Sequence, residues 1–300
     1  MDRDTGYWWS PDERYIALQR TDESTVDIVP RLDITGGGAS VIEQRYPRAG
    51  RPNAIVDLYV HDRTTGERVK VDLGDNADIY LARVAWSVDG ETLYVQRQSR
   101  DQQTLDLMTV DPTTGESRVI LTQTSPAWVS LTHNFRPLAD GRFIWSSEES
   151  GWRHLYLYDR DGTLIRPITT GDYAVKALDG INLATGDVFF TASMRDGEEY
   201  PIEQQLFRAS LNETVTPVEV TPRGGWWSAS VNSTGTAYVG NYTDLQTPPQ
   251  SALYRIDGTR VRWIEENRLD ENHPFFPYVS RRQTPTFGTL ESHGETLVWQ

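Results

Sequence analysis

The feature that most restricts the fold of this 300-residue chain is an internal repeat of about 49 residues. Short segments with apolar residues at alternate positions recur as DLYVHD, DLMTVD, HLYLYD, QLFRAS and ALYRID, with their leading leucines at Leu58, Leu107, Leu155, Leu206 and Leu253. The steps between these leucines are 49, 48, 51 and 47 residues. Alternation at every second position is typical of a half-buried strand, so the chain repeats one strand-containing module.

A second series of segments, which have the pattern of hairpins, lies between the first ones. They are WSPDERYIAL from Trp9, WSVDGETLYV from Trp86, FRPLADGRFIW from Phe135, NLATGDVFFTA from Asn182 and VNSTGTAYVG from Val231. The turn glycines of the last four, Gly90, Gly141, Gly186 and Gly235, follow one another at 51, 45 and 49 residues. Each module therefore contains two hairpins, which predicts a four-stranded antiparallel sheet.

Four-stranded sheets at this spacing are typical of β-propeller blades, because each blade buries both faces only by stacking on its neighbours. We therefore expect an all-β fold, a partial β-propeller with about five four-stranded antiparallel blades. The predicted blades cover residues 6–73, 77–121, 128–169, 174–220 and 226–265. In domain terms, residues 1–270 form the blades and residues 271–300 form a return segment.

The first module is longer than the others because residues 22–52 interrupt it between its second and third strands. Three consecutive glycines, 36–38, lie at the centre of this insertion, flanked by the apolar residues Ile28, Val29, Leu32, Ile34, Val41 and Ile42. The pattern predicts an extended arm that either folds back as a lid or reaches a partner. A surface loop without a partner is the alternative.

Composition and motifs exclude several classes of function. With 29 basic against 43 acidic residues the net charge is −14, so we expect no nucleic-acid partner. No run approaches the ~18 apolar residues of a membrane span, and there is no cysteine. The sequence contains neither G-x-S-x-G nor H-E-x-x-H, and its five histidines lack ligand spacing. We therefore expect no catalytic residue, no metal site and no cofactor in this chain.

Four segments, in order along the chain, resemble the propeller of dipeptidyl peptidase IV-like serine peptidases of the prolyl oligopeptidase family. They are Gly6-Tyr7-Trp8-Trp9-Ser10-Pro11-Asp12, Asp22-Glu23-Ser24, Tyr46-Pro47-Arg48-Ala49-Gly50 and Gly151-Trp152-Arg153-His154-Leu155-Tyr156. The Trp-Ser-Pro-Asp turn is common in propellers. The Tyr-Pro-Arg-Ala-Gly segment, followed about 100 residues later by Gly-Trp-Arg-His, is much more specific.

The resemblance implies an eight-bladed propeller that covers an α/β-hydrolase domain, in an enzyme that removes N-terminal X-Pro or X-Ala dipeptides. It places the family's paired glutamates, which hold the substrate ammonium, just before Met1. It also implies that residues 287–290 and 297–300 lead toward the hydrolase domain. We therefore expect a chain truncated at both ends, five blades in an open arc, and no hydrolysis by this chain alone.

The resemblance also assigns roles to residues of this chain. Phe135 and Arg136 match the family's substrate-facing loop, so Phe135 lines the pocket and Arg136 meets a peptide carbonyl or carboxylate; alternatively, Arg136 is a strand-end arginine paired with a carboxylate. The arm matches the one through which the family forms homodimers. The implied partners are a peptide with a free N-terminus and the hydrolase domain of the same full-length chain. For that full-length protein, the resemblance favours a periplasmic or secreted location over a cytoplasmic one.

Two other functions are compatible with repeated blades. A free-standing β-propeller that binds peptides or proteins needs no hydrolase domain, because a propeller fold does not determine activity. A propeller glycosidase needs two carboxylates that converge in the central channel, and no pattern in the sequence singles out such a pair.

Overall fold

The computed structural model describes residues 6–193, 203–283 and 285–299 and contains five four-stranded antiparallel sheets. The first sheet consists of β1 (Tyr7–Trp9), β2 (Tyr15–Asp22), β5 (Ile55–Asp62) and β6 (Arg68–Lys70), with the hairpin β3 (Ile28–Thr35) and β4 (Gly38–Arg45) inserted between β2 and β5. The second consists of β7 (Ile79–Trp86), β8 (Leu93–Ser99), β9 (Thr104–Val110) and β10 (Ser117–Thr124).

The remaining sheets follow the same order of strands. The third contains β11 (Arg136–Pro137), β12 (Phe143–Ser147), β13 (His154–Tyr158) and β14 (Leu164–Pro167). The fourth contains β15 (Ala174–Asn182), β16 (Asp187–Ser193), β17 (Gln205–Ser210) and β18 (Val218–Glu219). The fifth contains β19 (Trp226–Val231), β20 (Ala237–Thr243), β21 (Gln250–Arg255) and β22 (Arg260–Glu265). A 3-10 helix (Phe276–Arg281) and the hairpin of β23 (Gly288–Ser292) and β24 (Glu295–Trp299) complete the described chain.

These sheets confirm the all-β prediction and the reading of each module as two hairpins. The described residues include no helix that is long and apolar enough to cross a membrane. The chain divides into two compact units. The first extends to Leu131 and includes Pro137–Phe143 and Asp159–Thr163; the second comprises Thr132–Arg136, Ile144–Tyr158 and the chain from Leu164 onward.

The core of the first unit lies between its first two sheets. The rings of Tyr15 and Trp86 stack with centroids 5.8 Å apart, and the indole N–H of Trp86 donates to the carbonyl of Trp8 at 3.0 Å. Leu58 and Leu93 are fully buried in the same cluster. All residues from Leu93 to Gln96 in β8 are buried, so this strand is covered on both of its faces.

The second unit has an equivalent core in which aromatic rings from successive strands are in contact. Phe190 stacks on Tyr173 at 6.4 Å and on Phe207 at 5.7 Å. In the fifth sheet, Tyr238 and Tyr254 stack with centroids 5.0 Å apart. Residues Val188–Ala192 of β16 are all buried, again on both faces of the strand. Strands β8 and β16 are therefore packed on both faces, as stacked sheets require.

A repeated serine–aspartate turn closes two of the predicted hairpins. The Ser10 hydroxyl donates to Asp12 at 2.5 Å and accepts the backbone N–H of Tyr15 at 2.9 Å. Ser87 makes the same two contacts, with Asp89 at 2.5 Å and with the N–H of Thr92 at 2.9 Å. These bonds explain why Trp-Ser-x-Asp recurs, since each turn satisfies its own polar groups and sets the register of the next strand.

The turn glycines allow a prediction with a matched control. Gly66 and Gly162 both have positive φ, +78° and +84°, but a Cβ at Gly66 meets no atom, whereas one at Gly162 overlaps the carbonyl of Ile120. We expect Gly66→Ala to cost about 1 kcal/mol from the left-handed backbone alone. Gly162→Ala adds a backbone displacement and should cost about 3 kcal/mol or more.

Urea unfolding of both variants, followed by circular dichroism, measures this difference. Equal loss of stability in the two variants would show that the close approach of Gly162 to Ile120 adds nothing to the cost of the substitution.

Candidate functional site

The predicted substrate-facing pair lies in the segment that leads into the third sheet. Arg136 is the first residue of β11 and is exposed to solvent. Phe135 is half-buried, and its ring meets Trp145 of β12 edge-on, with centroids 6.0 Å apart and an interplanar angle of 69°. The structure thus brings an aromatic surface and a cationic group together at the start of one strand.

Asn134, which no motif in the sequence marks, anchors this segment. Its side chain is buried, with 2% of the residue exposed. Its Oδ1 accepts the backbone N–H of Leu178 in β15 at 2.9 Å, and its own N–H donates to Thr132 Oγ1 at 3.3 Å. The Thr132 hydroxyl in turn lies 2.9 Å from that of Ser146. The residue directly before the Phe-Arg pair is therefore hydrogen-bonded to a neighbouring sheet.

The side chain of Arg136 makes no hydrogen bond or ion pair with any residue in the described part of the chain. Other arginines differ, since Arg153 pairs with Glu148 at 2.5 Å and Arg118 with Asp161 at 2.9 Å. The alternative, in which Arg136 is occupied by a carboxylate, is not seen among the described residues. A guanidinium has five N–H donors, so Arg136 is able to bind a carbonyl or a carboxylate from outside these residues.

The histidine of the Gly-Trp-Arg-His motif has a structural role. His154 is buried, its Nε2 lies 2.9 Å from the carbonyl of Gly171, and its Nδ1 lies 3.1 Å from Thr169 Oγ1. Since a carbonyl only accepts, we assign the proton to Nε2. Burial lowers the pKa of His154, and the bond to Gly171 opposes this shift. The ring packs edge-on against Tyr173 and joins β13 to the segment after β14.

The predicted arm is the hairpin of β3 and β4, and its register separates the six apolar residues into two groups. Leu32 faces Val41, Ile28 faces Arg45 and Ile34 faces Ala39, so one face carries Ile28, Leu32, Ile34 and Val41. Val29 and Ile42 lie on the opposite face, among Arg31, Asp33 and Gln44. The first face is strongly exposed, with Leu32 at 63% and Ile34 at 77%.

A cluster of charged residues holds the base of the arm. Asp27 accepts Arg51 at 2.7 Å and Arg48 at 3.0 Å, and these two bonds lower the pKa of Asp27 to about 2. Arg45 donates to the carbonyl of Val26 at 2.7 Å. Arg48 belongs to the Tyr-Pro-Arg-Ala-Gly segment, so this specific part of the sequence pattern ties the two ends of the arm together.

Comparison with known proteins points to the same family that the sequence motifs resemble. The family described as "Dipeptidyl peptidase IV (DPP IV) N-terminal region" matches residues 1–249. A relative from Emericella nidulans, named "Probable dipeptidyl-aminopeptidase B", is 30% identical over 87% of this chain and 32% of its own length. A relative of the same name from Aspergillus clavatus is 27% identical over 93% of this chain and 33% of its own length.

The solved structure of Porphyromonas gingivalis dipeptidyl peptidase 4 superposes with a TM-score of 0.85 at 24% identity, covering 98% of this chain and 41% of that one. This likeness confirms the fold, a partial β-propeller whose five sheets are its blades. The chain belongs to the dipeptidyl peptidase IV N-terminal region family, and it spans about a third of the length of the curated relatives it matches.

The anchoring role of Asn134 is open to measurement. Asn134→Ala leaves the buried N–H of Leu178 without a partner, which should cost about 2 kcal/mol of unfolding free energy. The matched control is Asn272→Ala, because Asn272 is exposed and its side chain makes no hydrogen bond with a described residue. Thermal unfolding of both variants decides the point, and equal melting temperatures would contradict the anchor.

Proposed function

We propose that this chain is the propeller portion of a longer dipeptidyl aminopeptidase that removes N-terminal X-Pro or X-Ala dipeptides. In this function the blades restrict access and orient a short peptide, while a separate α/β-hydrolase domain performs acyl transfer with a Ser-His-Asp triad. Membership of the family and the names of the relatives support the proposal. The single observation that carries it is the exposed guanidinium of Arg136 beside Phe135.

The Phe135 segment is suited to positioning a peptide because the side chains of Asn134 and Phe135 are held in advance. The anchor through Asn134 and the ring contact with Trp145 restrain Phe135, so little conformational entropy is lost when a ligand arrives. Phe135 offers an apolar wall to a substrate side chain, and Arg136 donates to a peptide carbonyl or carboxylate.

We also propose that the arm forms a homodimer through its Ile28, Leu32, Ile34 and Val41 face. Large apolar side chains that are exposed together on one side of a hairpin usually mark an interaction surface. The restrained base at Asp27 supports this use, since it fixes the direction in which the arm leaves the first blade. The opposite face carries two large apolar residues, Val29 and Ile42, against four on the first face, so it offers less apolar surface to a partner.

The role of Arg136 predicts a kinetic effect in the longer enzyme. Arg136→Ala should raise KM for a chromogenic X-Pro dipeptide substrate about tenfold and change kcat less, because a charge-assisted hydrogen bond to bound peptide is lost. Arg31→Ala is the control, since Arg31 is exposed and its side chain makes no hydrogen bond or ion pair with a described residue. The 300-residue chain tested alone should show no turnover. Turnover by the chain alone, or equal KM values for both variants, would refute the proposed function.

The two faces of the arm predict different effects on assembly. The double variant Leu32→Ser, Ile34→Ser should shift the chain from dimer to monomer, because both side chains lose apolar area at the interface. Val29→Ser, Ile42→Ser changes the opposite face by the same chemistry and should leave the dimer intact. Sedimentation velocity at several concentrations distinguishes these outcomes, and a wild-type chain that stays monomeric excludes the interface.

A further inference from the structure

A cavity of about 670 Å³ opens at the end of the fifth sheet where β19 begins and β20 ends. We name it the Trp226 pocket. Its lining residues are Glu203, Gly224, Gly225, Trp226, Thr243, Asp244, Leu245, Gln246, Thr247 and Phe287, all of them in the second unit. Its volume lies within the ~300 to 1,000 Å³ that is usual for small-molecule sites.

The charged side chains that line the pocket are both carboxylates. The described lining residues include Glu203 and Asp244 but no lysine, arginine or histidine. Burial disfavours the charged form of Asp244, but hydrogen bonds from Tyr242 and from the amides of Gln246 and Thr247 outweigh it, so the pKa of Asp244 lies below its usual value. Asp244 is therefore ionised at neutral pH and places a negative charge on the pocket wall.

Both carboxylates are fixed in place by the surrounding backbone and side chains. Oε2 of Glu203 accepts the N–H of Gly224 and the side-chain amide of Gln205, each at 3.1 Å. Oε1 of Glu203 has no hydrogen-bond partner in the described part of the chain. Asp244 accepts the N–H of Gln246 at 2.7 Å and the hydroxyl of Tyr242 at 2.6 Å. Glu203 thus presents one open acceptor in a defined position.

The remaining walls are aromatic and apolar. Trp226 is 44% exposed, whereas the next residue of β19, Trp227, points to the opposite face and is buried in the core. Leu245 and Phe287 approach from the β20–β21 loop and from the segment before β23. An indole ring and a neighbouring carboxylate both attract a cation, the ring through its negative π-face and the carboxylate through its charge. The apolar walls favour a ligand whose charge is attached to a hydrocarbon body.

We propose that the Trp226 pocket binds an organic cation, a primary ammonium or guanidinium joined to an alkyl or aromatic body. The charged group lies between Glu203 Oε1 and the indole of Trp226, and the apolar body lies against Leu245 and Phe287. A free amine and a lysine or arginine side chain of a peptide share this chemistry. The site differs from the Phe135 segment, whose charged group is a cation, and it does not rest on the proposed function.

Titration of the 300-residue chain with three probes of similar size tests the charge requirement. The probes are 2-phenylethylamine, 2-phenylethanol and 3-phenylpropionate, followed by the indole N–H resonance of Trp226, which Trp226→Phe assigns. The amine should shift this resonance in a saturable way, at least about tenfold more tightly than the alcohol, and the anion should not bind. Equal binding of the amine and the alcohol would overturn the proposal, as would binding of the anion.

Glu203→Gln provides the second test, because it removes the charge and keeps the shape. Affinity for the amine should fall about tenfold, whereas Glu116→Gln, at an exposed glutamate of the first unit, should have no effect. If Glu203→Gln lowers the melting temperature, Trp226→Leu tests the aromatic wall instead, with binding followed by isothermal titration calorimetry because the reporter indole is gone, and it should weaken the amine to the same degree. Unchanged affinity in a folded variant of either kind rejects the site.

A lysine peptide with a blocked N-terminus distinguishes the two sources of the cation. Saturable binding of N-acetyl-lysine amide, lost in Glu203→Gln, assigns the pocket to lysine side chains of peptides. If 2-phenylethylamine binds and the lysine amide does not, the ligand is a free amine. Binding of neither cation refutes the inference, and it leaves the kinetic test of Arg136 unaffected.

Discussion

The structure depends on four-stranded sheets whose central strands are buried on both faces. Strands such as β8 and β16 are buried along consecutive residues, so side chains that point in opposite directions all leave water. Burial of apolar surface stabilises the folded chain by about 25 cal/mol per Å². A single sheet cannot bury both of its faces, so a neighbouring sheet must cover each one. The repeat in the sequence is the consequence, since every module must offer two complementary surfaces to the next.

Stacking of this kind is stable only if each strand keeps its register, because a shift of one residue exchanges the two faces. Hydrogen bonds within the turns set this register locally. Ser10 and Ser87 each bridge an aspartate and a backbone N–H two and five residues further on. Glycines with positive φ allow the close approach of adjacent backbones, as Gly162 does at Ile120. Rigid sheets held in this way leave the connecting segments free to differ in chemistry.

The connecting segments hold the two proposed binding features of the second unit, at Phe135 and at Trp226. Each feature lies where the first strand of a sheet begins, and each combines an aromatic side chain with charge of a single sign. They differ in sign, because Arg136 is a cation without a described partner whereas Glu203 is a carboxylate with an open oxygen. In both, hydrogen bonds to the backbone hold the segment before any ligand arrives, and preorganisation of this kind reduces the entropic cost of binding.

The sequence by itself determined the all-β class and the two hairpins in each module, because alternation and turn chemistry are local and are repeated five times. The family resemblance pointed to Phe135 and Arg136 through a short motif. Only the tertiary structure decided that Asn134 bonds to Leu178, which lies 44 residues away, and that Val29 and Ile42 are separated from the other apolar residues of the arm. It also brought Glu203, Trp226 and Phe287 to one pocket. These features depend on register and on contacts between distant segments, which no local pattern encodes.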